Sequence, residues 1–272
     1  MLSCKLKIFN QVVYIESQNT FIHEVVLANY GSFEVKDAEP TSLGLHYELK
    51  QGKDESTYTI IRNKKKIIFC EDLGLFVYFL EKDITIELEK ICSSLFFLHG
   101  AALEKKGEVL LLTGRSGAGK STTTWGLLNN GFNYLSDELA PVNLESMHVI
   151  PYPHAVCLKK HPPLYPLPDN ILKTNRTMHV STALLPADSH LDAFPLTKII
   201  IVEFSADNLE PVLTKLSQAS ACMNIYTNGL NQLAHENDGL TGASRIAESC
   251  ECYSLAAAKL DDTCALISTL FE

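Results

Sequence analysis

The stretch Gly114-Arg115-Ser116-Gly117-Ala118-Gly119-Lys120-Ser121 decides the fold assignment, because it fits the pattern G-x-x-x-x-G-K-[ST]. Glycines at this spacing let the backbone curl so that successive N–H groups point toward a bound phosphate. The arrangement works only between a strand and a helix, since the N-terminal end of the helix adds a partial positive charge. We therefore predict a loop that binds nucleotide phosphates over residues 114–122, ending at Thr122.

The sequence on both sides of this loop predicts the strand and the helix that it needs. Residues 95–113 contain two apolar strands joined by the polar turn Lys105-Lys106-Gly107, which is typical of a β-hairpin. Residues 120–130 have a helical pattern that Gly131 ends, and a strand follows over residues 132–136. If the hairpin turn is centred between residues 105 and 106, His99 lies opposite Leu112, just before the loop.

Four side chains in this region have the chemistry of phosphoryl transfer. Lys120 is placed to bridge the β- and γ-phosphates, and the Ser121 hydroxyl is placed to bind Mg²⁺. Asp137 and Glu138 follow the next strand, where a carboxylate can bind the metal or accept a proton from the nucleophile. Because neighbouring strand residues point to opposite faces, both can serve only if the strand ends at about Ser136.

For the nearby histidine and basic residues, two interpretations stay open. His99 either contacts the phosphates or tunes the base, or it is a hydrogen-bonded histidine of the core. Arg115 either reaches the nucleotide or lies exposed. Lys159, Lys160 and Arg176 either bind a phosphate or carboxylate of the substrate or lie on the solvated surface.

The rest of the chain predicts further elements on either side of this region. In residues 1–92 we expect short strands at 6–9, 12–15, 23–27, 46–49, 58–61 and 67–69, and a helix over 73–81, with 83–92 ambiguous. Toward the C-terminus we expect strands at 197–204 and 251–257 and helices at 217–226 and 262–271. This predicts a small N-terminal α+β domain over residues 1–92, which we consider for substrate recognition, and a second domain over residues 93–272.

Six of the eleven prolines lie between residues 151 and 168, which excludes a regular helix there. The run is either a long covering loop or a rim that receives a substrate. The eight cysteines are scattered, so we expect them to be reduced and mostly buried. Cys250 and Cys252 form a close pair without a second pair or a histidine cluster near them, and we interpret them as structural.

Composition excludes several classes of function. The 272 residues are 46% hydrophobic, which is typical of a globular protein, and the net charge of −9 disfavours nucleic-acid binding. Apolar runs have the length of strands and not of membrane spans, and the first residues lack the layout of a signal peptide. We therefore expect a cytoplasmic protein that binds neither nucleic acid nor membrane.

The order of these motifs resembles the HPr kinase/phosphorylase family, whose kinase core is similar to phosphoenolpyruvate carboxykinase. The matching features are His99-Gly100, residues 114–121, Gly131 and Asp137-Glu138. The resemblance covers residues 95–142 specifically and the rest of the C-terminal part diffusely. It implies an α/β (α+β) fold with a P-loop core of this kind, joined to the small N-terminal domain.

The resemblance also implies roles for individual residues. His99, Lys120, Asp137 and Glu138 take the catalytic positions, and residues 114–122 bind ATP. Ser121, Asp137 and Glu138 are the ligands for Mg²⁺. The proton acceptor of the family falls on Glu138, where aspartate is usual, so it stays open which of the two carboxylates is the base.

This chain departs from the family in one respect that changes the expected function. The second signature of the family, a Glu-Ile-Arg-Gly segment tied to the phosphorylase reaction, has no counterpart here. We therefore expect neither the reverse reaction, nor HPr as substrate, nor the hexamer of the family, although another homo-oligomer stays open. The resemblance implies an ATP- and Mg²⁺-dependent kinase that phosphorylates a serine-type hydroxyl of a peptide, small protein or free amino acid.

Three alternatives stay open beside this kinase. The first is an inactive nucleotide-binding module that grips a partner, although such a module needs only the phosphate loop. The second is a small-molecule kinase outside serine chemistry. The third, an NTP hydrolase, lacks a recognisable glutamine to position water or an arginine finger.

Overall fold

The computed structural model describes residues 1–36 and 44–272. It begins with a five-stranded sheet and two helices. The strands are β1 (Leu2–Ile8), β2 (Gln11–Ser17), β3 (Leu45–Gln51), β4 (Tyr58–Arg62) and β5 (Lys66–Cys70), and the helices are α1 (Thr20–Tyr30) and α2 (Leu73–Ile91). The strands are adjacent in chain order, and only β2 and β3 are parallel. Both helices contribute buried residues to one core with the sheet.

Residues 23–27, which were predicted to form a strand, lie in helix α1. The Asn19 side chain accepts a hydrogen bond from the Ile22 backbone N–H at 2.9 Å and so caps the helix. Buried Ile22, Val26 and Tyr30 recur at a spacing of four residues, which places them on one helical face. The strand prediction was wrong because it rested on a short β-branched pair and overlooked this cap and this spacing.

Helix α2 extends well beyond the predicted residues 73–81 and includes the stretch that was ambiguous. An acidic residue in that stretch, Asp83, is buried and accepts a hydrogen bond from the Tyr47 hydroxyl at 2.9 Å. It also forms an ion pair with Arg62 Nε at 2.9 Å. A buried charge on the inner face interrupts the apolar pattern, which explains why the sequence was ambiguous there.

The remaining strands and helices follow from residue 95. The strands are β6 (Leu95–Lys105), β7 (Glu108–Thr113), β8 (Asn133–Ser136), β9 (Leu139–Asn143), β10 (His148–Val149), β11 (Val156–Leu158), β12 (Leu172–Lys173), β13 (Met178–Val180), β14 (Phe194–Phe204), β15 (Val212–Lys215) and β16 (Glu251–Ala257). The helices are α3 (Lys120–Leu128), α4 (Gln218–Thr227), α5 (Leu240–Ser249) and α6 (Leu260–Ser268). Eight strands form one sheet in the order β10-β9-β6-β7-β14-β16-β15, with β8 beside β6, and β11-β13-β12 form a small third sheet.

The eight-stranded sheet has helices on both faces. On β7, Leu110 and Leu112 belong to a core with α3 and α6, whereas Val109 and Leu111 belong to a core with α4 and α5. This alternation explains the continuous apolar run of β7, because both of its faces are buried. The architecture is mixed α/β.

The hairpin of β6 and β7 is confirmed, but its predicted register is wrong. The turn consists of two residues, Lys106 and Gly107, and both have positive φ angles, 55° and 82°. Such a turn pairs the residues on its two sides directly, so its centre lies one residue later than predicted. As a result His99 is not opposite Leu112 and pairs with Leu139 of β9 instead.

Strand direction brings the predicted site residues to one edge of the sheet. β7, β14 and β16 are parallel to one another. Both β7 and β8 are antiparallel to β6, so they run in the same direction on its two sides. The carboxyl ends of these strands therefore lie at the same edge, where residues 114–119 follow β7 and residues 137–138 follow β8.

The proposed division at residue 92 falls between α2 and β6. The first sheet and its helices lie before it and the eight-stranded sheet lies after it. The core of the first sheet nevertheless includes Phe97, Leu139 and Tyr152 from the second part. Two domains that share this apolar contact remain our proposal.

The cysteines agree with the expectation that they are reduced and mostly buried. All eight cysteines are free, and Cys250 Sγ lies 3.3 Å from the Leu196 carbonyl oxygen. Within residues 1–36 and 44–272, none of the helices has the length and apolar character that crossing a membrane requires.

Candidate functional site

The loop between β7 and α3 is held against the carboxyl end of β14. The Phe204 backbone N–H donates to the Ala118 carbonyl oxygen at 3.1 Å. A Cβ atom at Gly114 would lie 2.6 Å from the Val202 carbonyl oxygen, so only glycine allows this approach. Gly119 has a φ of 98° and immediately precedes α3. The loop therefore turns sharply at both ends and leads directly into the helix.

Two glycines of the loop provide a matched test of this packing. Gly114→Ala should lower the free energy of unfolding by about 1–3 kcal/mol through its contact with Val202. Both Gly114→Ala and Gly117→Ala carry a backbone strain of about 1–2 kcal/mol because their φ angles are positive. The contact with Val202 adds to that strain in Gly114→Ala alone. A Cβ atom at Gly117 meets no atom within 4 Å. Thermal unfolding should therefore show the larger loss of Tm for Gly114→Ala, and equal losses would contradict the close approach.

Lys120 lies inside the loop. It is buried, and its Nζ donates hydrogen bonds to the carbonyl oxygens of Gly114 at 2.8 Å and Arg115 at 3.3 Å. Burial lowers the pKa of the ammonium group, while the charges of Glu138 and Asp137 act in the opposite direction. The ammonium group is therefore next to the loop backbone and within the electrostatic reach of both carboxylates.

Asp137 is a buried carboxylate with one unsatisfied oxygen. Its Oδ2 accepts a hydrogen bond from the Cys157 backbone N–H at 3.0 Å. Its Oδ1 is buried and has no hydrogen-bond partner within the described part of the chain. Burial, with the charge of Glu138, raises the pKa of Asp137 to about 7, while the Cys157 amide and the Ser121 hydroxyl act to lower it. Ser121 at the start of α3 is thus brought to the carboxylate at the end of β8.

Glu138 lies beside His99 at the same edge of the sheet. His99 Nδ1 is 3.6 Å from Glu138 Oε2, and the Glu138 side chain is 51% exposed. The His99 backbone N–H donates to the Asn228 carbonyl oxygen at 2.9 Å, and its carbonyl oxygen accepts from the Thr113 hydroxyl at 3.1 Å. Burial lowers the pKa of His99, and the charge of Glu138 partly offsets that effect. Strand β8 ends at Ser136, as both carboxylates require. Asp137 and Glu138 can therefore lie at the same edge of the sheet.

The other loop residues differ in exposure. Arg115, Ser116 and Gly117 are exposed, whereas Ser121 and Thr122 are half-buried in the first turn of α3. The structure therefore places Arg115 at the solvent side of the loop.

The three basic residues from the second half of the chain separate into different places. Lys159 Nζ donates to Ser116 Oγ at 2.9 Å, which brings one end of the proline-rich run to the loop. Lys160 is exposed. Arg176 lies away from the loop, where it packs beside Gly74 and acts electrostatically on Asp72. Only Lys159 among the three contacts the candidate site.

Several groups that shape the site act through the backbone and were missed in the sequence. They are the Cys157 amide on Asp137, the Asn228 carbonyl on His99 and the Phe204 amide on the loop. Backbone groups do not depend on residue type, so the sequence has no pattern that identifies them.

Comparisons with known proteins add little to this geometry. No family model and no curated protein matches the chain. Among solved structures, it is similar to the HPr(Ser) kinase/phosphatase from Coxiella burnetii, with 15% identity and a TM-score of 0.34 over 64% of this chain and 93% of that chain. A TM-score of this size carries no argument about shared function, so the proposal below rests on the residues themselves.

Proposed function

We propose that this protein is an ATP- and Mg²⁺-dependent kinase that transfers the γ-phosphate to a serine-type hydroxyl of a peptide, small protein or free amino acid. One observation carries the proposal. The glycine-rich loop, the buried Lys120 and the carboxylates of Asp137 and Glu138 come together at one edge of the sheet. Phosphoryl transfer needs this combination of N–H groups that bind the phosphates, a cation and carboxylates.

The proposed nucleotide site consists of residues 114–122. Backbone N–H groups of the loop and the N-terminal end of α3 favour the negative charge of phosphates. Lys120 is already held within the loop by two carbonyl oxygens. In this proposal its ammonium group moves to the β- and γ-phosphates and stabilises the charge of the transferring group.

The residues at this edge fit a magnesium ion. Asp137 Oδ1 is buried without a hydrogen-bond partner among the described residues, and the Ser121 hydroxyl acts on the same carboxylate. Oxygen donors of this kind are the ligands that Mg²⁺ prefers. We propose Ser121 and Asp137 as ligands, with Glu138 near enough to contribute. The ion, when bound with the nucleotide, would neutralise charge on the phosphate oxygens.

We propose Glu138 as the base. Its side chain is half-exposed, so an acceptor can reach it, whereas Asp137 is 2% exposed. The Glu138 carboxylate takes the proton of the acceptor hydroxyl, whose oxygen forms a bond to the γ-phosphorus while the bond to the bridging oxygen of ADP breaks. His99, 3.6 Å from Glu138, is proposed as a residue that positions this carboxylate.

We propose that the acceptor binds near the proline-rich run. Lys159 connects the run to Ser116 of the loop, so an acceptor held there would lie beside the proposed γ-phosphate position. The Lys159 ammonium group is suited to a carboxylate or an acidic residue of the acceptor. The N-terminal domain is a second surface that we consider for substrate recognition.

Transfer of label from γ-labelled ATP tests this function. The full chain is incubated with Mg²⁺ and, in parallel, with a serine-containing peptide pool, the same pool with serine replaced by alanine, and free serine. We expect label in the serine pool or in free serine and none in the alanine pool. Bound nucleotide without label in any acceptor would indicate a binding module, and label only as inorganic phosphate would indicate a hydrolase. Either result would contradict the proposal.

A further inference from the structure

A cluster of metal-binding side chains surrounds the thiol of Cys157, whose backbone N–H donates to Asp137, and in this cluster His179 is buried while Glu81 and Cys157 are half-buried. Glu81 comes from α2, Cys157 from β11 and His179 from β13. One ligand atom of each lies within 4.8 Å of the others. His154, which precedes β11, adds a second imidazole with Nε2 at 3.1 Å from Glu81 Oε1. Three segments distant in sequence thus bring a carboxylate, a thiol and an imidazole together, and His154 contacts the carboxylate.

Two of these side chains form a buried pair. His154 is 5% exposed and His179 is 2% exposed, so the two imidazole rings are removed from solvent. His154 Nε2 and Glu81 Oε1 are buried atoms that lie 3.1 Å apart, so they pair with each other. This pair holds the Glu81 carboxylate beside His179, whose Nδ1 lies 3.5 Å from the same oxygen.

Hydrogen bonds orient both rings. His154 Nδ1 is 3.0 Å from the Ala155 carbonyl oxygen, and because a carbonyl only accepts, Nδ1 carries a proton. His154 Nε2 faces Glu81 Oε1 at 3.1 Å, so this ring holds the carboxylate in place. His179 Nε2 is paired with the Thr177 hydroxyl at 2.7 Å, which leaves Nδ1 toward Glu81 and Cys157. Metal-binding histidines are commonly oriented by such bonds from the other ring nitrogen.

Distances and ligand types favour zinc over other ions. His179 Nδ1 lies 3.3 Å from Cys157 Sγ and 3.5 Å from Glu81 Oε1. Bond lengths of about 2.0–2.3 Å around a tetrahedral Zn²⁺ require ligand atoms about 3.3–3.7 Å apart. Thiolate and imidazole ligands favour Zn²⁺, whereas Mg²⁺ and Ca²⁺ prefer oxygen.

We propose that Glu81, Cys157 and His179 form a structural Zn²⁺ site, in which His154 positions the Glu81 carboxylate. The ion would fasten helix α2 of the N-terminal part to the small third sheet. It would also fix the backbone of Cys157, whose N–H group donates to Asp137. The site does not depend on the proposed kinase activity, because it uses none of the phosphate-loop residues.

A second cluster in the first sheet serves as a control. Glu16, His46 and Glu48 also lie within 4.8 Å of one another, but none of the three is buried, whereas His179 is. His46 Nε2 already pairs with Glu16 at 2.8 Å, and Lys50 lies 3.5 Å from Glu48. This cluster lacks a thiol and its charges are compensated, so His46→Ala should leave zinc binding unchanged.

Metal content and cobalt substitution of the full chain test the proposal. In excess Mg²⁺, which occupies oxygen sites, we expect one Zn²⁺ per chain and, with Co²⁺, a thiolate-to-cobalt absorption band. Cys157→Ser should remove that band, and His179→Ala should lower the zinc content toward zero, while His46→Ala retains both. Absence of the band in the wild-type chain, or its persistence in Cys157→Ser, would overturn the proposal. The wild-type spectrum decides even if the variants fail to fold.

Thermal unfolding gives an independent readout of the same site. At a free Zn²⁺ concentration about 100-fold above Kd, the ion should raise the Tm of the chelator-treated chain by about 5–10 °C. The shift should be absent in His179→Ala and present in His46→Ala. An unchanged Tm in the wild-type chain would contradict a structural role. Neither measurement involves phosphoryl transfer, so a failure here is distinguishable from a failure of the proposed kinase activity.

Discussion

Lys120→Ala is expected to lower phosphoryl transfer by about 10²–10³-fold, as removal of one donor to developing charge does in other enzymes. The ammonium group is buried within the loop and is held by the carbonyl oxygens of Gly114 and Arg115. Lys159 also contacts the loop, but it binds the exposed hydroxyl of Ser116 on the outside and so does not take the place of Lys120. Initial rates of label transfer at saturating ATP give the measurement.

Lys215→Ala is the matched control for this experiment. Lys215 is 65% exposed and pairs with Glu251 at 2.8 Å, at the start of β16 and so away from the carboxyl ends of the parallel strands. It should therefore retain the wild-type rate, while Tm values of both variants report whether the fold is intact. A folded Lys120→Ala variant that transfers phosphate at a near-normal rate would refute the role of Lys120.

Glu138→Gln is expected to lower transfer by about 10²–10⁴-fold, which is the usual contribution of a positioned general base. The amide keeps the size of the side chain but cannot accept the hydroxyl proton. Nucleotide binding should persist, because the proposed phosphate contacts lie in residues 114–122. Rates and nucleotide affinity are measured on the same preparation, so a lost base is distinguished from a lost binding site.

Two companion variants decide which carboxylate is the base. Asp137→Asn should raise the Mg²⁺ concentration needed for half-maximal transfer, because Asp137 is proposed to hold the ion through its unpartnered oxygen. Glu145→Gln, at an exposed position between β9 and β10, should behave as wild type. A near-normal rate in Glu138→Gln together with a base-like loss in Asp137→Asn would transfer the role of base to Asp137.

The sequence predicted the elements around the loop well because several local signals agree there. The apolar run of β7, the glycines and the helical pattern after Lys120 all favour the same strand, loop and helix. Residues 23–27 show the opposite case, because two β-branched residues suggested a strand there. The N-cap at Asn19 and the helical spacing of the buried residues favour helix α1 instead. Local propensity fails where tertiary burial and capping outweigh it.

The candidate site could be predicted only as far as its motifs extend. The neighbourhood of Asp137, Glu138 and His99 follows from strand order, and the exact hairpin register depended on a two-residue turn. The meeting of Glu81 with Cys157 and His179 could not be predicted, because it depends on how α2 packs against the third sheet. Contacts between segments distant in sequence have no local pattern.

The central claim is that the γ-phosphate of ATP is transferred to a serine-type hydroxyl. Phosphorus NMR of a single reaction tests this claim most directly. The reaction contains the full chain, Mg²⁺, ATP and the serine-containing peptide pool with free serine. We predict that the γ-phosphate signal of ATP declines while signals of ADP and of a phosphate monoester rise together. Unchanged ATP, or ADP that accumulates only with inorganic phosphate, would contradict the claim.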